Sequence, residues 1–187
     1  MFWEVTRYFR YDWIYRYWIE PSFNFAYTPF NLQALSGEGM YTLWYILGAL
    51  SIFIVFGFFY RISATLFFVL FTYTFLLEQA RYLNHFYLVV LISFIMIFIP
   101  AHRNFSIDSL IFKKIKSSYN AGWNLWLIKF MVGVPYFFGG IAKINPDWLQ
   151  GYPLKIWLLG DTGFPIIGQF FTEHWMIMIM SYSGLLL

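Results

Sequence analysis

Long apolar runs without charged residues dominate the chain. Residues 40–60 contain no charge and follow Ser36 and Glu38, which can cap the start of a helix. As a helix this run would be about 31 Å long, enough to cross a bilayer. Further apolar runs lie at residues 62–77, 86–100, 123–142 and 175–187. Because the last run would measure only about 20 Å, we expect an all-α, polytopic membrane bundle with four full spans and a truncated fifth.

The polar residues between and before these runs predict how the helices are connected. Arg61 alone separates the first two runs, and a break this short predicts a tight helical hairpin. Near the N-terminus, charged residues are spaced for ion pairs within helices. They are Glu4, Arg7 and Arg10 at intervals of three, and Asp12, Arg16 and Glu20 at intervals of four. Because the two sets lie on different helix faces, we expect a break near residues 10–13 and short interfacial helices ended by Pro21.

Alternation of the spans assigns each connection to one side of the membrane. Residues 1–39, 78–85 and 143–173 fall on one side, and residues 101–121 fall on the other. The second side carries a group of basic residues, namely Arg103, Lys113, Lys114 and Lys116. By the positive-inside rule this side is cytoplasmic, so we expect the first side to be extracytoplasmic. Arg103 and Asp108 are interpreted as a loop-fixing ion pair or a helix cap.

The composition agrees with an integral membrane protein and excludes several function classes. Of the 187 residues, 60% are hydrophobic, 26% aromatic and 11% charged, which is more apolar surface than a soluble domain of this length could bury. The net charge of +3 comes from scattered residues, so we expect the lipid bilayer as a partner and no nucleic acid. The chain has no cysteine, and its three histidines lack the spacing of metal ligands, so we expect no metal.

Residues 139–148 carry the strongest indication of chemistry. Lys143 directly follows an apolar run, Pro146 is expected to stop the helix, and Trp148 stands where interfacial aromatic residues occur. An amine between hydrocarbon and water is poorly solvated, and when neutral it can act as a base. The alternative is a lysine that extends its ammonium group to the interface without a chemical role. By parity, Asn84 and His85 lie on the same side of the membrane as Lys143.

Short motifs occur in a fixed order along nearly the whole chain. They are residues 19–21, 37–41, 59–63, 75–85, 100–108, 123–126 and 136–148, the last being YFFGGIAKINPDW. Together these motifs resemble the vitamin K-dependent gamma-carboxylase family, in the bacterial form called the horizontally transferred transmembrane (HTTM) domain. The resemblance implies one HTTM-like transmembrane domain over residues 1–187. Because family members usually carry an earlier helix, later helices and a strand-rich C-terminal domain, we expect a chain truncated at both ends without that soluble domain.

The resemblance also implies an enzyme, a gamma-glutamyl carboxylase-like member of the carbon–carbon lyase class. In that family the lysine matching Lys143 deprotonates vitamin K hydroquinone, whose reaction with O2 generates a base that removes a gamma proton from a glutamate. CO2 traps the resulting carbanion. The histidine matching His85 supports carboxylation, with the asparagine matching Asn84 beside it. Vitamin K hydroquinone or a related reduced quinone is the implied cofactor, O2 and CO2 are co-substrates, and a glutamate-containing protein or peptide is the partner.

Other residues near the motifs have both a functional and a structural interpretation. Asp147, Trp148 and Tyr152 are candidates for binding the quinone, but Asp147 and Trp148 can equally finish a helix and anchor it at the interface. Asn84 and His85 can be interfacial residues that cap a helix. For the whole chain, the alternatives are a membrane transporter or channel and an inactive structural membrane fragment. We expect a bacterial inner-membrane location with the active side extracytoplasmic.

Overall fold

The chain folds into helices joined by turns and short loops. The computed structural model describes residues 1–28, 30–160 and 163–186. All regular structure within these residues is helical, which confirms the predicted all-α class. The α-helices are α1 Phe2–Arg10, α2 Gly37–Phe56, α3 Tyr60–Leu76, α4 Asn84–Phe98, α5 Ile107–Ile111, α6 Gly122–Ala142, α7 Pro146–Leu149, α8 Tyr152–Leu159 and α9 His174–Leu186.

Two of these helices have the length and apolar composition of a membrane span. They are α2, with 20 residues, and α6, with 21 residues. Helices α3 and α4 are apolar but have only 17 and 15 residues. Their lengths of about 26 and 22 Å fall short of a hydrocarbon core of about 30 Å. Two of the four predicted full spans are therefore found by length and composition, and the number four is not confirmed.

The helices belong to two compact units. The first unit is Met1–Ile128 and contains α1 to α5, and the second is Lys129–Leu187 and contains α7 to α9. Helix α6 begins in the first unit and ends in the second. The core of the first unit consists mainly of aromatic and aliphatic side chains from α1 to α4, among which Trp44 and Phe71 are almost fully buried. The small core of the second unit contains Leu158, Phe171 and Ile177.

Helices α2 and α3 form the tight hairpin that the sequence predicts. Gly57 ends α2 in the left-handed conformation, with φ of 61°, and the N–H groups of Gly57 and Phe58 return to carbonyls of the last turn of α2. The N–H groups of Phe59 and Tyr60 each donate a 2.8 Å hydrogen bond to the carboxylate of Asp108. Asp108 is buried. A side chain distant in sequence therefore caps the start of α3.

The connection that contains Asp108 is fixed against this hairpin through backbone contacts. The N–H of Asp108 donates to the carbonyl of Gly57 at 3.0 Å, and Ser106 and Ser109 cap α5 reciprocally. The interpretation of Asp108 as a helix cap is thus confirmed. The predicted ion pair with Arg103 is wrong, because backbone N–H groups occupy both carboxylate oxygens and, within the described residues, Arg103 forms no salt bridge.

The end of α4 is held by the start of α3. The hydroxyl of Tyr60 donates to the carbonyl of Met96 at 2.8 Å, and the guanidinium of Arg61 donates to the carbonyl of Ile97 at 2.9 Å. The imidazole of His102 stacks on the Tyr60 ring with a centroid distance of 5.1 Å. These contacts supply partners for carbonyls that the last turn of a helix leaves unsatisfied.

The N-terminal segment breaks where the sequence predicts. Helix α1 ends at Arg10, Asp12 adopts a φ of 53°, and the chain continues through a π-helical turn at Tyr15–Ile19. The side chain of Asp12 accepts a 3.0 Å hydrogen bond from the hydroxyl of Tyr41. The predicted break is confirmed, although Asp12 bonds to α2 and does not pair with Arg16.

Helix α1 packs lengthwise on α2. The contacting pairs are Val5 with Gly48, Tyr8 with Trp44 at a ring distance of 4.1 Å, and Phe9 with Tyr45 at 4.4 Å. From Val5 to Phe9 of α1 the contacts move back from Gly48 to Trp44 and Tyr45 of α2, so the two helices pack antiparallel over this stretch. The structure thus shows α1 packed against α2, and the interfacial placement of α1 stays a prediction.

Short-range signals within this segment have mixed outcomes. Glu4 pairs with Arg7 at 2.8 Å, as the spacing of three predicts. Ser36 stands at the cap position of α2, but its side chain makes no capping hydrogen bond. The sequence thus identifies the residue at which α2 starts, but the predicted capping hydrogen bond of the Ser36 hydroxyl is not formed.

We expect Gly57→Ala to destabilise the first unit. A Cβ at this position would lie 2.4 Å from Cβ of Ser106, and alanine is disfavoured at a φ of 61°. Together these effects should lower the free energy of unfolding by about 1–3 kcal/mol, measured by thermal unfolding in detergent. Gly122→Ala is the matched control, because nothing lies within 4 Å of its added Cβ. Equal melting temperatures for the two variants would contradict this account of the hairpin.

Candidate functional site

Lys143 lies directly after the last residue of the apolar helix α6. Its N–H donates to the carbonyl of Gly140 at 3.1 Å, and the chain then turns. The prediction that Pro146 stops this helix is corrected, because α6 ends at Ala142 and Pro146 is the first residue of α7. Asn145 caps α7 by accepting a 2.9 Å hydrogen bond from the N–H of Trp148. This turn places the lysine between a membrane span and a short following helix.

The amine of Lys143 is held by α9 and by an aromatic ring. Its Nζ donates to the carbonyl of Gly184 and lies 5.1 Å from the ring centroid of Trp148. The side chain is half-buried. An amine in this position is partly shielded from water and has a fixed direction, which are two properties that a catalytic base needs. An ammonium group of a snorkelling lysine can make the same two contacts, so the choice between these interpretations stays a prediction.

Trp148 is anchored to α9 on both its side chain and its backbone. The indole Nε1 donates to the carbonyl of Ser181 at 2.9 Å, and the Ser181 hydroxyl donates to the carbonyl of Trp148. A Cβ on Gly184 would lie 3.2 Å from the indole ring, so the glycine permits the close approach. The structure thus brings Lys143 and Trp148 together, with three α9 backbone or side-chain groups as their support.

Asp147 and Tyr152 do not join this cluster. Asp147 is exposed in the first turn of α7, where a carboxylate suits the positive end of the helix dipole. Tyr152 is 55% exposed and lines another cavity of about 450 Å³ in the same unit. The polar side chains that line it with Tyr152 are Gln150, Lys155, Thr172 and His174. The position of Asp147 favours its structural interpretation, and quinone binding by either residue stays a prediction.

Asn84 and His85 are the first two residues of α4, and both side chains are exposed. The cap position is occupied by Leu83, and no side chain caps this helix start. The interpretation of Asn84 or His85 as a helix cap is therefore wrong. The His85 ring packs edge-on against Phe86 at a centroid distance of 4.7 Å. Both residues are thus presented at the surface of their unit without a capping role.

The turn that precedes α4 is itself firmly held. The Glu78 carboxylate accepts hydrogen bonds from the N–H groups of Phe25 and Ala80, at 3.3 and 3.1 Å. The guanidinium of Arg81 lies over the ring of Tyr17. These contacts hold residues 78–83, and hence the start of α4, against the N-terminal segment.

A small aromatic cavity of about 30 Å³ lies beneath this turn. Its lining includes Tyr8, Trp18, Trp44, Phe86 and Arg81. Within the described residues, the buried indole Nε1 atoms of Trp18 and Trp44 have no hydrogen-bond partner. A cavity of this size has room for a molecule of a few atoms, and such a molecule would need acceptor atoms to satisfy these donors.

The family whose model matches the sequence is described as the HTTM domain, and the match spans residues 1–187. The chain belongs to the HTTM-domain family. The match confirms the resemblance to this transmembrane domain that the ordered motifs indicate. Together with the two spans α2 and α6, it identifies the protein as a membrane protein. No solved structure matches the HTTM domain of this chain.

Sequence reasoning missed the part of the HTTM domain that supports Lys143. Ser181 and Gly184 lie on α9, which the sequence presents only as a short apolar run. The available signal was the group of small residues Ser181, Ser183 and Gly184 inside this run. Small residues in a membrane helix permit close approach of a neighbouring segment. That signal indicates a contact, but it does not name the partner.

The candidate residues of the HTTM domain divide between the two units. Asn84 and His85 belong to the first unit, whereas Lys143, Asp147, Trp148 and Tyr152 belong to the second. The shared face of His85 and Lys143 therefore stays a prediction from parity. In the described part of the chain, no three His, Asp or Glu side chains cluster as metal ligands would.

We expect Trp148→Phe to loosen the support of Lys143. The change removes the indole N–H that bonds to Ser181 and should cost about 1 kcal/mol, with faster amide hydrogen exchange in α7. Trp157→Phe is the control, because Trp157 is 61% exposed and its ring stands 6.3 Å from that of Trp148. If both variants exchange α7 amides at the same rate as the wild-type protein, the anchoring role of the indole is contradicted.

Proposed function

We propose that this HTTM domain is a membrane-embedded, vitamin K (quinone)-dependent enzyme of the gamma-glutamyl carboxylase type. The observation that supports it best is the position of Lys143 at the end of α6, half-buried and directed by Gly184 and Trp148. Membership of the HTTM-domain family supports the same proposal through the resemblance of its motifs to that enzyme family.

The proposed role of Lys143 is to remove a proton from the reduced quinone. A hydroquinone hydroxyl titrates near the phenol value of about 10, so the amine must be neutral to accept its proton. A neutral amine retains two N–H donors and one lone pair. Lys143 can therefore keep its hydrogen bond to Gly184 while its lone pair accepts the proton. Exclusion of water by the surrounding lipid and protein would keep solvent from competing for this step.

Trp148 is the proposed support for the quinone ring. The donor set fits a flat, largely apolar molecule with two hydroxyl groups, because an indole face lies beside an amine. The reduced quinone, when bound, supplies the electrons that reduce O2 and the strong base that carboxylation requires. In the complete reaction O2 would oxidise the hydroquinone to the quinone epoxide, with one oxygen atom in the epoxide and the other leaving as water, while the gamma C–H bond of glutamate would lose its proton and a C–C bond to CO2 would form. Asp147 and Tyr152 are further proposed contacts of the quinone.

The proposed role of His85, with Asn84, lies in the carboxylation step. Both side chains are exposed at the start of α4, where they are free of capping hydrogen bonds. An exposed imidazole and amide can donate to a carboxylate or to CO2. The proposed substrate is a glutamate-containing protein or peptide, which approaches from the extracytoplasmic side of a bacterial inner membrane.

The alternative class is a transporter or channel. Such a protein would favour polar groups near the middle of its spans, where broken helices expose them. Lys143 instead follows the last residue of α6, and Asn84 is the first residue of α4. Positions at helix ends support a reaction at the membrane surface more than a path across the membrane.

Lys143→Ala should reduce quinone epoxidation by roughly 10²–10⁴-fold, the usual contribution of a general base. Lys143→Arg should lose epoxidation as well, because a guanidinium stays protonated near neutral pH and cannot accept the proton. A small added amine should partly restore the alanine variant, since it can enter the space left by the side chain. The measurement is epoxide yield in membranes that contain the protein. Lys113→Ala removes an exposed lysine outside the proposed quinone contacts and should leave the yield unchanged.

The same assay separates the role of His85 from that of Lys143. His85→Ala should retain more epoxidation than carboxylation, because its proposed role follows oxygen activation. Paired yields of epoxide and of carboxylated glutamate measure this difference. Near-normal epoxidation by Lys143→Ala would refute the assignment of Lys143 as the base. An equal loss of both yields in His85→Ala would refute the assignment of His85 to the carboxylation step alone.

The proposed orientation has its own test in the cysteine-free chain. Ser118 is exposed in the basic connection between α4 and α6. A Ser118→Cys variant should react with a membrane-impermeant thiol reagent only when the cytoplasmic side is accessible, as the positive-inside rule requires. Labelling of intact cells from outside would invert the topology and move the proposed active side to the cytoplasm.

A further inference from the structure

A basic pocket of about 510 Å³ lies in the first unit, far in sequence from the proposed catalytic lysine. The polar side chains that line it are Arg61, His102, Arg103, Lys114, Lys116 and Ser117. Neither the family match nor the proposed reaction assigns a role to these residues. Four of them are arginine or lysine, so the pocket has the chemistry of an anion site.

Hydrogen bonds of the backbone and of Arg61 bring these cations together. The guanidinium of Arg61 donates to the carbonyl of Ile97 at 2.9 Å, which fixes its position while leaving other N–H groups on the same side chain. The N–H of Ser117 donates to the carbonyl of Arg103 at 3.1 Å. This bond closes the connection on itself and sets Lys116 near Arg103. The positive charges are therefore positioned by the fold, beyond their nearness in sequence.

Nearby acidic groups do not neutralise the basic pocket. Between residues 79 and 146 the sequence contains a single acid, Asp108, and both of its carboxylate oxygens accept hydrogen bonds from backbone N–H groups. Burial lowers the pKa of His102, Asp108 raises it, and Arg61 and Arg103 lower it. The net lowering keeps His102 mainly neutral near pH 7, so the charge of the pocket comes from arginine and lysine.

An apolar groove continues from the basic pocket. It is a cavity of about 350 Å³ whose apolar lining is Phe56, Phe105, Ile107 and Leu110. Asn104, Ser106 and Ser109 complete its lining together with Lys116, which lines both cavities. Phe105 is 98% exposed and Leu110 is 71% exposed. Large apolar side chains with this exposure beside the end of a span are suited to contact with lipid.

We propose that the basic pocket and the apolar groove together bind one anionic phospholipid. The phosphate group is held by Arg61, Arg103 and Lys116, and an acyl chain lies along Phe105 and Leu110. A free phosphate ion would satisfy the cations but would leave the adjoining groove without an apolar partner. A neutral phospholipid would fill the groove but would leave the positive charge of the pocket uncompensated. The two adjoining surfaces match the two chemical parts of an anionic lipid.

The test measures lipid binding to the purified protein. The protein in neutral detergent is titrated with phosphatidylglycerol or phosphatidylcholine, and bound lipid is counted by native mass spectrometry. A cation near an anionic lipid surface contributes about fivefold in affinity. We therefore expect the double variant Arg103→Gln/Lys116→Gln to bind phosphatidylglycerol roughly 25-fold more weakly. The charge-retaining variant Arg103→Lys/Lys116→Arg should recover most of the affinity.

Two controls separate this site from general charge attraction and from free-anion binding. Arg10→Gln/Lys155→Gln removes the same charge from exposed positions elsewhere and should bind like the wild-type protein. Phe105→Ser/Leu110→Ser should weaken phosphatidylglycerol binding while the cations remain. Equal affinity of the wild-type protein for both lipids, or unchanged affinity of the Arg103/Lys116 double variant, would overturn the proposal. Displacement of the lipid by millimolar inorganic phosphate would also overturn it, because the pocket would then be a free-anion site.

Discussion

The fold depends on supplying hydrogen-bond partners to backbone groups at helix ends. In lipid, an unpaired N–H or carbonyl cannot turn to water, so each exposed helix end requires a partner from the protein. In this chain several polar side chains serve that purpose at one end of the first unit. The carboxylate of Asp108 accepts hydrogen bonds from the N–H groups at the start of α3. The side chains of Tyr60 and Arg61 donate hydrogen bonds to carbonyls in the last turn of α4. The hairpin, the following connection and the basic pocket all rest on these contacts.

Local features of the sequence were sufficient for some elements and insufficient for others. The hairpin at Arg61, the break after Arg10 and the lysine at the end of α6 each follow from a residue whose effect acts within one helical turn. The lengthwise packing of α1 and the support of Lys143 by α9 depend on pairing between distant segments. Small residues such as Gly184 permit such pairing without specifying a partner. The apolar runs at residues 62–77 and 86–100 match α3 and α4 closely in length, but runs of 15 or 16 residues are shorter than a full span, so it was the number of spans that the sequence overestimated.

The candidate catalytic lysine also lies at the end of a helix and bonds to a backbone carbonyl. Lys143 comes after α6, and the carbonyl of Gly184 holds its amine. A carbonyl can accept from an ammonium group or from a neutral amine, so this contact orients the side chain in either protonation state. The resemblance of the motif around this lysine to that of an enzyme family is the reason for proposing it as a base and not as a snorkelling anchor. The structure adds to this resemblance that the hydrogen bond to Gly184 orients the amine of Lys143.

The two ends of α4 connect the proposed lipid site to the proposed chemistry of the first unit. Asn84 and His85 begin this helix, while the carbonyl of Ile97 near its other end is bound to Arg61, a residue of the basic pocket. The helix has 15 residues and is about 22 Å long. A helix of this length cannot reach both surfaces of an undistorted bilayer. A lipid headgroup bound at its Arg61 end would fix the depth of that end, and the rigid helix would then fix the depth of His85. Binding of an anionic lipid at one surface would in this way set how far the imidazole lies from the other.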